Sequence, residues 1–406
     1  MNGEAKQTLM PVVDALKRVL SGVQTLSTED VPLSVAAGRV LAEDVKARVS
    51  HPPADVSSMD GYAVRAADVA SVPASLSLIG ESSAGDGFDG SVGAGQCARI
   101  FTGAPVPGGA DAIVIQEDTD RDGDTVIMKE RSKAGRYIRP AGLDFKKDQV
   151  LLETGTLLSA RHVGLAAGMN VPTLKVQRKP KVALLGNGNE LVEPGNSVGP
   201  HQIINSNTVA MMAFVAACGA EPIDLGIARD TVESLKEKMT AAQDTDLLVT
   251  MGGASVGDYD LVQQVLGDKG FDLDFYRIAM RPGKPLIFGH MNGLPVLGLP
   301  GNPVSVSVTA LVFMKPALEK MLGIAQDSNP TETALLGSDL SENDRRQDYL
   351  RSKLSFDHNG ERIATPFSKQ DSSMMATLAH ADCLIVRAPH ATTLEKGSRV
   401  EIILLA

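Results

Sequence analysis

Asp246-Leu-Leu-Val-Thr-Met-Gly-Gly-Ala-Ser-Val-Gly-Asp258 is the stretch on which the fold turns. Leu247, Leu248 and Val249 make a run that is apolar on both faces, as a strand buried within a parallel sheet must be. The run breaks at Gly252-Gly253, where missing Cβ atoms let the backbone turn sharply and approach a ligand. Asp258 and Asp260 follow, at the start of a helix carrying Leu261, Val262, Val265 and Leu266. A strand ending in a glycine turn before a helix N-terminus gathers backbone N–H groups around an anion, and Ser255 adds a hydroxyl. Two aspartates beside a phosphate would repel it unless a divalent cation sits between them.

Strands and helices alternate around that stretch from Pro180 onward. Lys181 to Leu185 reads as a strand ending in Gly186-Asn-Gly-Asn-Glu190, and Thr208 to Cys218 as a helix capped within Asn205-Ser-Asn207. Pro222 to Ala228 is a second strand, ending at Arg229-Asp230, and Thr231 to Gln243 an amphipathic helix. Met280-Arg281-Pro-Gly-Lys284-Pro leads into the strand Leu286-Ile-Phe. Leu294 to Leu299 then feeds Pro300-Gly-Asn-Pro303 and a helix from Val304 to Leu322. This predicts a doubly wound α/β domain whose ligand lies at the carboxyl ends of its strands. Those ends present Glu190, Asp230, Gly252 with Asp258 and Asp260, Gly301-Asn302, and the cations Arg281 and Lys284. Acids, bases and glycines at successive strand ends suit a phosphorylated ligand held by backbone N–H groups and two cations, with carboxylates fixing a metal.

The flanks differ in texture. Leu9, Val12, Val13, Leu16, Val19 and Leu20 recur at helical spacing and form one apolar stripe. Pro52 to Leu143 breaks into short strands and glycine turns, including Ala112 to Gln116 and Thr125 to Met128, and reads as an inserted all-β domain. Within it Ser58-Met-Asp60-Gly, Arg99-Ile-Phe-Thr102-Gly and Arg136-Tyr-Ile-Arg139-Pro-Ala-Gly-Leu-Asp144 carry polar residues that ordinary turn chemistry explains one at a time. His162, on a short apolar helix, has no ligand-type neighbours and reads as structural. After Ser328 strands return, at Tyr349–Phe356, Glu361–Pro366, Cys383–Arg387 and Val400–Leu405, so a small β-domain closes the chain. Arg351 and Gln370-Asp-Ser372-Ser373 are its candidates to face a ligand, although Arg351 alone also fits a solvated face.

Composition bounds the rest. The 406 residues exceed one ordinary core, and the formal charge of −10 argues against broad binding to nucleic acid or to an anionic membrane. Cys97, Cys218 and Cys383 lie far apart without metal-ligand spacing, so three small buried thiols in a reducing compartment are expected. With neither a signal-like start nor a long apolar span, the expected location is cytoplasmic.

Ser-Met-Asp-Gly-Tyr-Ala-Val (58–64), Thr-Gly-Ala-Pro-Val-Pro (102–107), Gly-Gly-Ala-Ser-Val-Gly-Asp (252–258), Arg-Pro-Gly-Lys-Pro (281–285) and Gly-Leu-Pro-Gly-Asn-Pro-Val-Ser (298–305) together resemble the MoeA family, to which the E domain of gephyrin also belongs. The resemblance covers almost the whole chain. It implies four domains: an elongated linker domain (1–51 and 145–179), the β-rich insert (52–144), an α/β molybdopterin-binding domain (180–327) and a C-terminal β-domain (328–406). It also implies a homodimer, with the cleft formed where the insert of one subunit meets the α/β and C-terminal domains of the other. The implied reaction consumes adenylyl-molybdopterin and molybdate and releases AMP and the molybdenum cofactor, with Mg2+ polarising the phosphoanhydride. Asp60, Asp144, Glu190, Asp230 and Asp260 match acids that hold the metal or orient water, with Glu190, Asp230 and Asp260 as the metal set. Gly252, Gly253 and Ser255 would cradle the terminal phosphate. Arg281, Lys284, Arg351 and Ser372 would accept molybdate, Pro300 and Pro303 would stiffen the loop beside the pterin, and Thr102 and Arg139 would complete the insert's share.

The chain departs from the family where Ser-Thr-Gly-Asp-Glu is common and Gly186-Asn-Gly-Asn-Glu190 stands instead, so one acid has become Asn189. Arg281 stands where lysine is frequent, and a planar bidentate donor is not a point charge. A gephyrin-like scaffold with reduced catalysis is the rival reading, and the resemblance leaves room for a molybdopterin adenylyltransferase, or another protein, as partner. An adenylyltransferase would not need the insert or its acids, and tungstate is nearly the size and charge of molybdate.

Overall fold

The computed structural model describes residues 9–252, 271–324 and 330–405. The chain divides into two compact units, one of Asp30–Ala37 with Glu43–Lys175 and the other of Met1–Glu29, Gly38–Ala42 and Val176–Ala406.

The first unit is built on a six-stranded sheet of Gly61–Val64 (β1), Ala74–Ser82 (β2), Gln96–Ile100 (β3), Ala112–Ile115 (β4), Thr119–Asp122 (β5) and Thr125–Met128 (β6). Its order is β4-β1-β3-β2-β6-β5, with β2 and β3 parallel and the other pairs antiparallel. Tyr62 and Val64 face one core with Cys97 and Val114, while Ala63 faces a second with Ile100 and Ile113, the period of two that a sheet covered on both sides requires. A helix at Ala160–Gly168 follows, and the His162 ring nitrogen accepts the Ser159 backbone N–H at its start, a structural use of that histidine.

The second unit holds two sheets. The α/β sheet contains Lys181–Asn187 (β7), Glu221–Ala228 (β8), Leu247–Met251 (β9), Phe271–Tyr276 (β10), Ile287–Met291 (β12) and Leu294–Leu299 (β13), while Met280–Arg281 (β11) belongs to the other sheet. The order is β8-β7-β9-β13-β12-β10. Val182, Leu184, Leu247 and Val249 bury one face against the helices Val12–Ser21, Ser206–Ala217, Pro303–Thr309 and Lys315–Met321. Ala183, Leu185 and Leu248 bury the other against Leu235 and Met239 of Val232–Thr240, so the sheet is wound on both sides. The N-terminal stripe is narrower than its spacing suggests: Val12, Ala15 and Val19 are buried and Val13 is 57% exposed.

The doubly wound sheet carries an antiparallel edge: β12 runs antiparallel to β13 and β10 antiparallel to β12. A two-residue turn at Asn292-Gly293 joins β12 to β13, and so short a link can only build a hairpin. The helix expected over Val304 to Leu322 is interrupted by a π-helical turn at Ala310–Met314. Pro316 has no N–H to give the preceding turn, and its ring needs the extra room.

The last sheet is closed. Glu332–Leu336 (β14), Gln347–Phe356 (β15), Arg362–Pro366 (β16), Cys383–Arg387 (β17) and Arg399–Leu404 (β18) pair in the order β15-β16-β14-β18-β17 and back to β15, a small barrel to which β11 adds on β15. Cys97 and Cys383 are fully buried and Cys218 only partly, and burial pushes the three thiols up to about 12, 12 and 11. They are inert core groups.

Candidate functional site

The antiparallel turn of β12 decides where the basic loop goes. Ile287 at the start of β12 pairs with Gly298 near the end of β13, so the segment before β12, with Arg281 and Lys284, arrives at the carboxyl edge of the parallel strands. Strands of opposite direction in one sheet thereby present their loops on one rim.

The loops of that rim are tied in pairs. The Asn189 N–H donates to Asp230 Oδ2 at 3.0 Å, and the Asp230 N–H donates to Asn189 Oδ1 at 3.2 Å. Arg229 Nη1 donates to the carbonyls of Asn189 and Leu191 at 3.1 and 3.2 Å. The Glu190 carboxylate folds back over Gly188. At the end of β9, Gly252 turns with φ +91° and gives its N–H to the Leu299 carbonyl at 3.3 Å. Gly253, Ser255 and Asp260 lie outside the described residues. Asn207 Nδ2 donates to the Gly301 carbonyl at 2.8 Å, and Pro303 opens its helix at the position where a missing N–H costs nothing. Pro300 is buried beneath the same loop.

The barrel supplies one further loop. Asn302 Nδ2 donates to Ser372 Oγ at 2.7 Å, and the Val304 N–H donates to the Ser372 carbonyl at 3.1 Å. Ser372 therefore joins Gly301-Asn302 directly. Arg351 does not lie on a solvated face: it is 1% exposed, with Nε on Gln370 Oε1 at 3.1 Å and Nη1 on the Asp371 carbonyl at 2.9 Å. Its guanidinium holds the 370–374 loop from behind. Arg281 bonds to Asp348 and to Asn343 Oδ1 at 3.2 Å, with Asp344 at 3.5 Å, so its charge is already balanced. Lys284 is exposed and makes no ion pair with any described residue.

In the other unit, the Thr102 N–H and hydroxyl donate to Asp60 Oδ1 at 2.7 and 2.8 Å. Those two bonds, backbone first, hold the Asp60 carboxyl below the usual carboxylate range. The pairing links residues 42 apart in sequence, so it is not the local turn chemistry that would explain either residue alone. Arg139 pairs with Val56 on a short strand, and the Ser58 N–H donates to the Tyr137 carbonyl at 2.8 Å. The Asp144 N–H donates to the His51 carbonyl at 3.0 Å, and both Arg139 and Asp144 are exposed. Asp60, Thr102, Arg139 and Asp144 thus occupy neighbouring segments of one unit, and the remaining described candidates gather on the rim of the other.

No three metal-ligating side chains converge among the described residues, and Asp260 is not among these. Arg229 and Asp348 are not among the candidates the sequence offered, although an aspartate inside the strand pattern of 347–356 is a signal in itself.

Three family models match the chain. They are "MoeA N-terminal region (domain I and II)" over residues 10–169, "Probable molybdopterin binding domain" over 183–320 and "MoeA C-terminal region (domain IV)" over 333–405. A molybdopterin molybdenumtransferase of Nostoc sp. is 35% identical over 387 residues, covering 93% of this chain and 89% of its own. One of Bacillus subtilis is 32% identical over 409 residues, covering 98% and 95%. The crystal structure of a molybdopterin biosynthesis MoeA protein from Pyrococcus horikoshii matches with a TM-score of 0.86 at 33% identity, over 98% of this chain and 99% of that one.

Proposed function

The chain belongs to the MoeA family, and from that premise we propose that it is a molybdopterin molybdenumtransferase, inserting molybdate into adenylyl-molybdopterin with release of AMP. The observation that carries the reading is the rim itself, where two linked acid loops, a glycine turn and an ammonium with no ion pair among the described residues share one edge of the α/β sheet with Ser372 of the barrel. A doubly charged tetrahedral oxyanion calls for a cation with neutral donors beside it, and Lys284 with Ser372 fits that need. Arg281 and Arg351, both committed to protein partners, serve as supports for that pair.

Glu190 and Asp230 offer the hard oxygen donors that Mg2+ takes, and they fit it: among the described residues Asp230 spends only Oδ2, on Asn189, and Glu190 forms no ion pair. Bound there, the ion would supply positive charge to the phosphoanhydride. Asp260 completes the proposed metal set. Gly252, with Gly253 and Ser255, would cradle the phosphate through backbone N–H groups, and Asp60, Thr102, Arg139 and Asp144 would complete the pocket. The proposal includes the homodimer and a cytoplasmic setting; among the described residues no helix is long and apolar enough to cross a membrane.

Asn189 keeps its loop fastened to Asp230, through its own backbone N–H and through Oδ1 accepting the Asp230 N–H, and it adds no second negative charge beside that carboxylate. AMP release from adenylyl-molybdopterin with molybdate and Mg2+ is the direct test. Asp230→Ala should fold normally and lose at least about a hundredfold in rate; equal release by mutant and wild type would remove the metal assignment.

A further inference from the structure

We propose that Asp348 is a positioning residue for the oxyanion step: by holding Arg281 it fixes the Arg281-Pro-Gly-Lys284 loop and so sets where the Lys284 ammonium stands. The inference rests on the reading of Lys284 as the charged ligand of the oxyanion, and it adds a residue that reading does not contain.

Arg281 lies on β11, in parallel register with β15, directly opposite Asp348. Its Nη2 donates to Asp348 Oδ2 and to Asn343 Oδ1, and Asp344, itself bonded by Arg346 at 2.6 Å, lies beyond. Asp348 is 3% exposed, and its other oxygen is sealed, with no hydrogen-bond partner among the described residues. Arg387 stands opposite Asp348 on β17 and Arg346 lies within electrostatic reach, but the cation that bonds the carboxylate is Arg281, and a buried carboxylate depends strongly on the cation it bonds. Arg281 is different, because 46% of its side chain is open to solvent, so without Asp348 its head can swing into water.

The loop between Arg281 and Lys284 has little slack. Gly283 sits at φ +114°, and a Cβ there would come within 2.5 Å of Thr309 Cγ2, so the chain is pressed against the following helix. The Lys284 carbonyl accepts the Ile278 N–H at 3.0 Å. One end is thus pinned by the barrel through Asp348 and the other by the backbone before β11. Releasing the first frees the backbone that aims Lys284, without touching Lys284 itself.

The test is a mutant cycle in the full-length protein, reading kcat/KM for molybdate in AMP release, with melting curves alongside. Lys284→Ala should cost about a hundredfold, the weight of one charge-assisted hydrogen bond. Asp348→Asn should cost about tenfold, and Arg281→Gln the same, since each breaks the pair from a different side. Arg281→Lys, which keeps one charged contact, should recover most of the loss. In a Lys284→Ala background neither change should cost more than about a further twofold, because the group they position is gone. Full additivity would overturn the proposal while leaving Lys284 as the ligand. A loss from Arg281→Gln as large as that from Lys284→Ala would also overturn it, by making Arg281 a ligand. If Lys284→Ala leaves kcat/KM for molybdate unchanged, the oxyanion reading falls and the proposal with it. Should Asp348→Asn fail to fold, Arg281→Gln carries the same cycle from the half-exposed side.

Discussion

At Gly252 the backbone turns at φ +91°, and a Cβ placed there would lie 2.5 Å from the Asn187 carbonyl oxygen. No side chain resolves both problems, because the obstacle is backbone of the neighbouring strand. Gly252→Ala should therefore destabilise the protein by roughly 2 kcal/mol or more, read as a lower urea midpoint at unchanged slope. A midpoint equal to that of wild type would show that the turn relaxes freely. This glycine was legible because a buried apolar run followed by a glycine pair has few other uses. Arg351 was not. Its partners stand 19 and 20 residues further along, and only closure of the barrel brings Gln370 and the Asp371 carbonyl around it. Asp348 hid for the same reason, since its partner lies 67 residues back.

Among the elements, β9 was legible as a buried strand because its residues divide between two cores, as alternation on a sheet demands. What anchors its start is electrostatic. Arg178 donates to both oxygens of Asp246 at 2.7 and 2.6 Å, and the Lys181 N–H donates to Oδ2 at 2.8 Å, so β7 and β9 are fastened where they begin. Burial pushes the Asp246 carboxyl up, but Arg178 and then the Lys181 N–H outweigh it and leave the pKa below its usual value. A carboxyl whose folded pKa is depressed stabilises the fold fully above its unfolded pKa of about 3.9 and ceases to do so as pH falls through the folded value. Asp246→Asn should thus cost about 1–2 kcal/mol at pH 7, and the gap from wild type should narrow below about pH 4. Urea melts at pH 7 and pH 3 decide it; a gap that is constant with pH would mean shape rather than charge. The strand direction of β12 was less legible. Leu286-Ile-Phe reads equally well in either direction, and the hairpin turn at Asn292-Gly293 is the only local sign of its reversal. β10, with acids alternating along Phe271-Asp-Leu-Asp, lacked the apolar density that marked its neighbours and passed unread.

Across the whole molecule the candidate residues divide by unit. Asp60, Thr102, Arg139 and Asp144 belong to one compact unit, and Glu190, Asp230, Gly252, Lys284 and Ser372 to the other. The proposed homodimer turns that division into a genetic test, because a site that draws its insert residues from one protomer and its rim from the other can be broken on either chain. Asp60→Ala and Lys284→Ala homodimers should each be nearly inactive, since every site in them lacks one essential group. A heterodimer of the two chains is different: one of its sites collects both lesions, and the other collects neither. Random pairing of equal amounts makes half the dimers mixed, each with one intact site of two, so about a quarter of wild-type activity should return on mixing by denaturation and refolding or by coexpression. If each site were built within a single protomer, every site in the mixture would still carry a lesion, and the activity would not rise above the average of the two parents. Two lesions on the same side of the proposed boundary, Asp230→Ala with Lys284→Ala, make the control. There a mixed dimer has one defect in each site under the shared-site arrangement as well, so no activity should return, and recovery in that pair would sink the arrangement regardless of the first result.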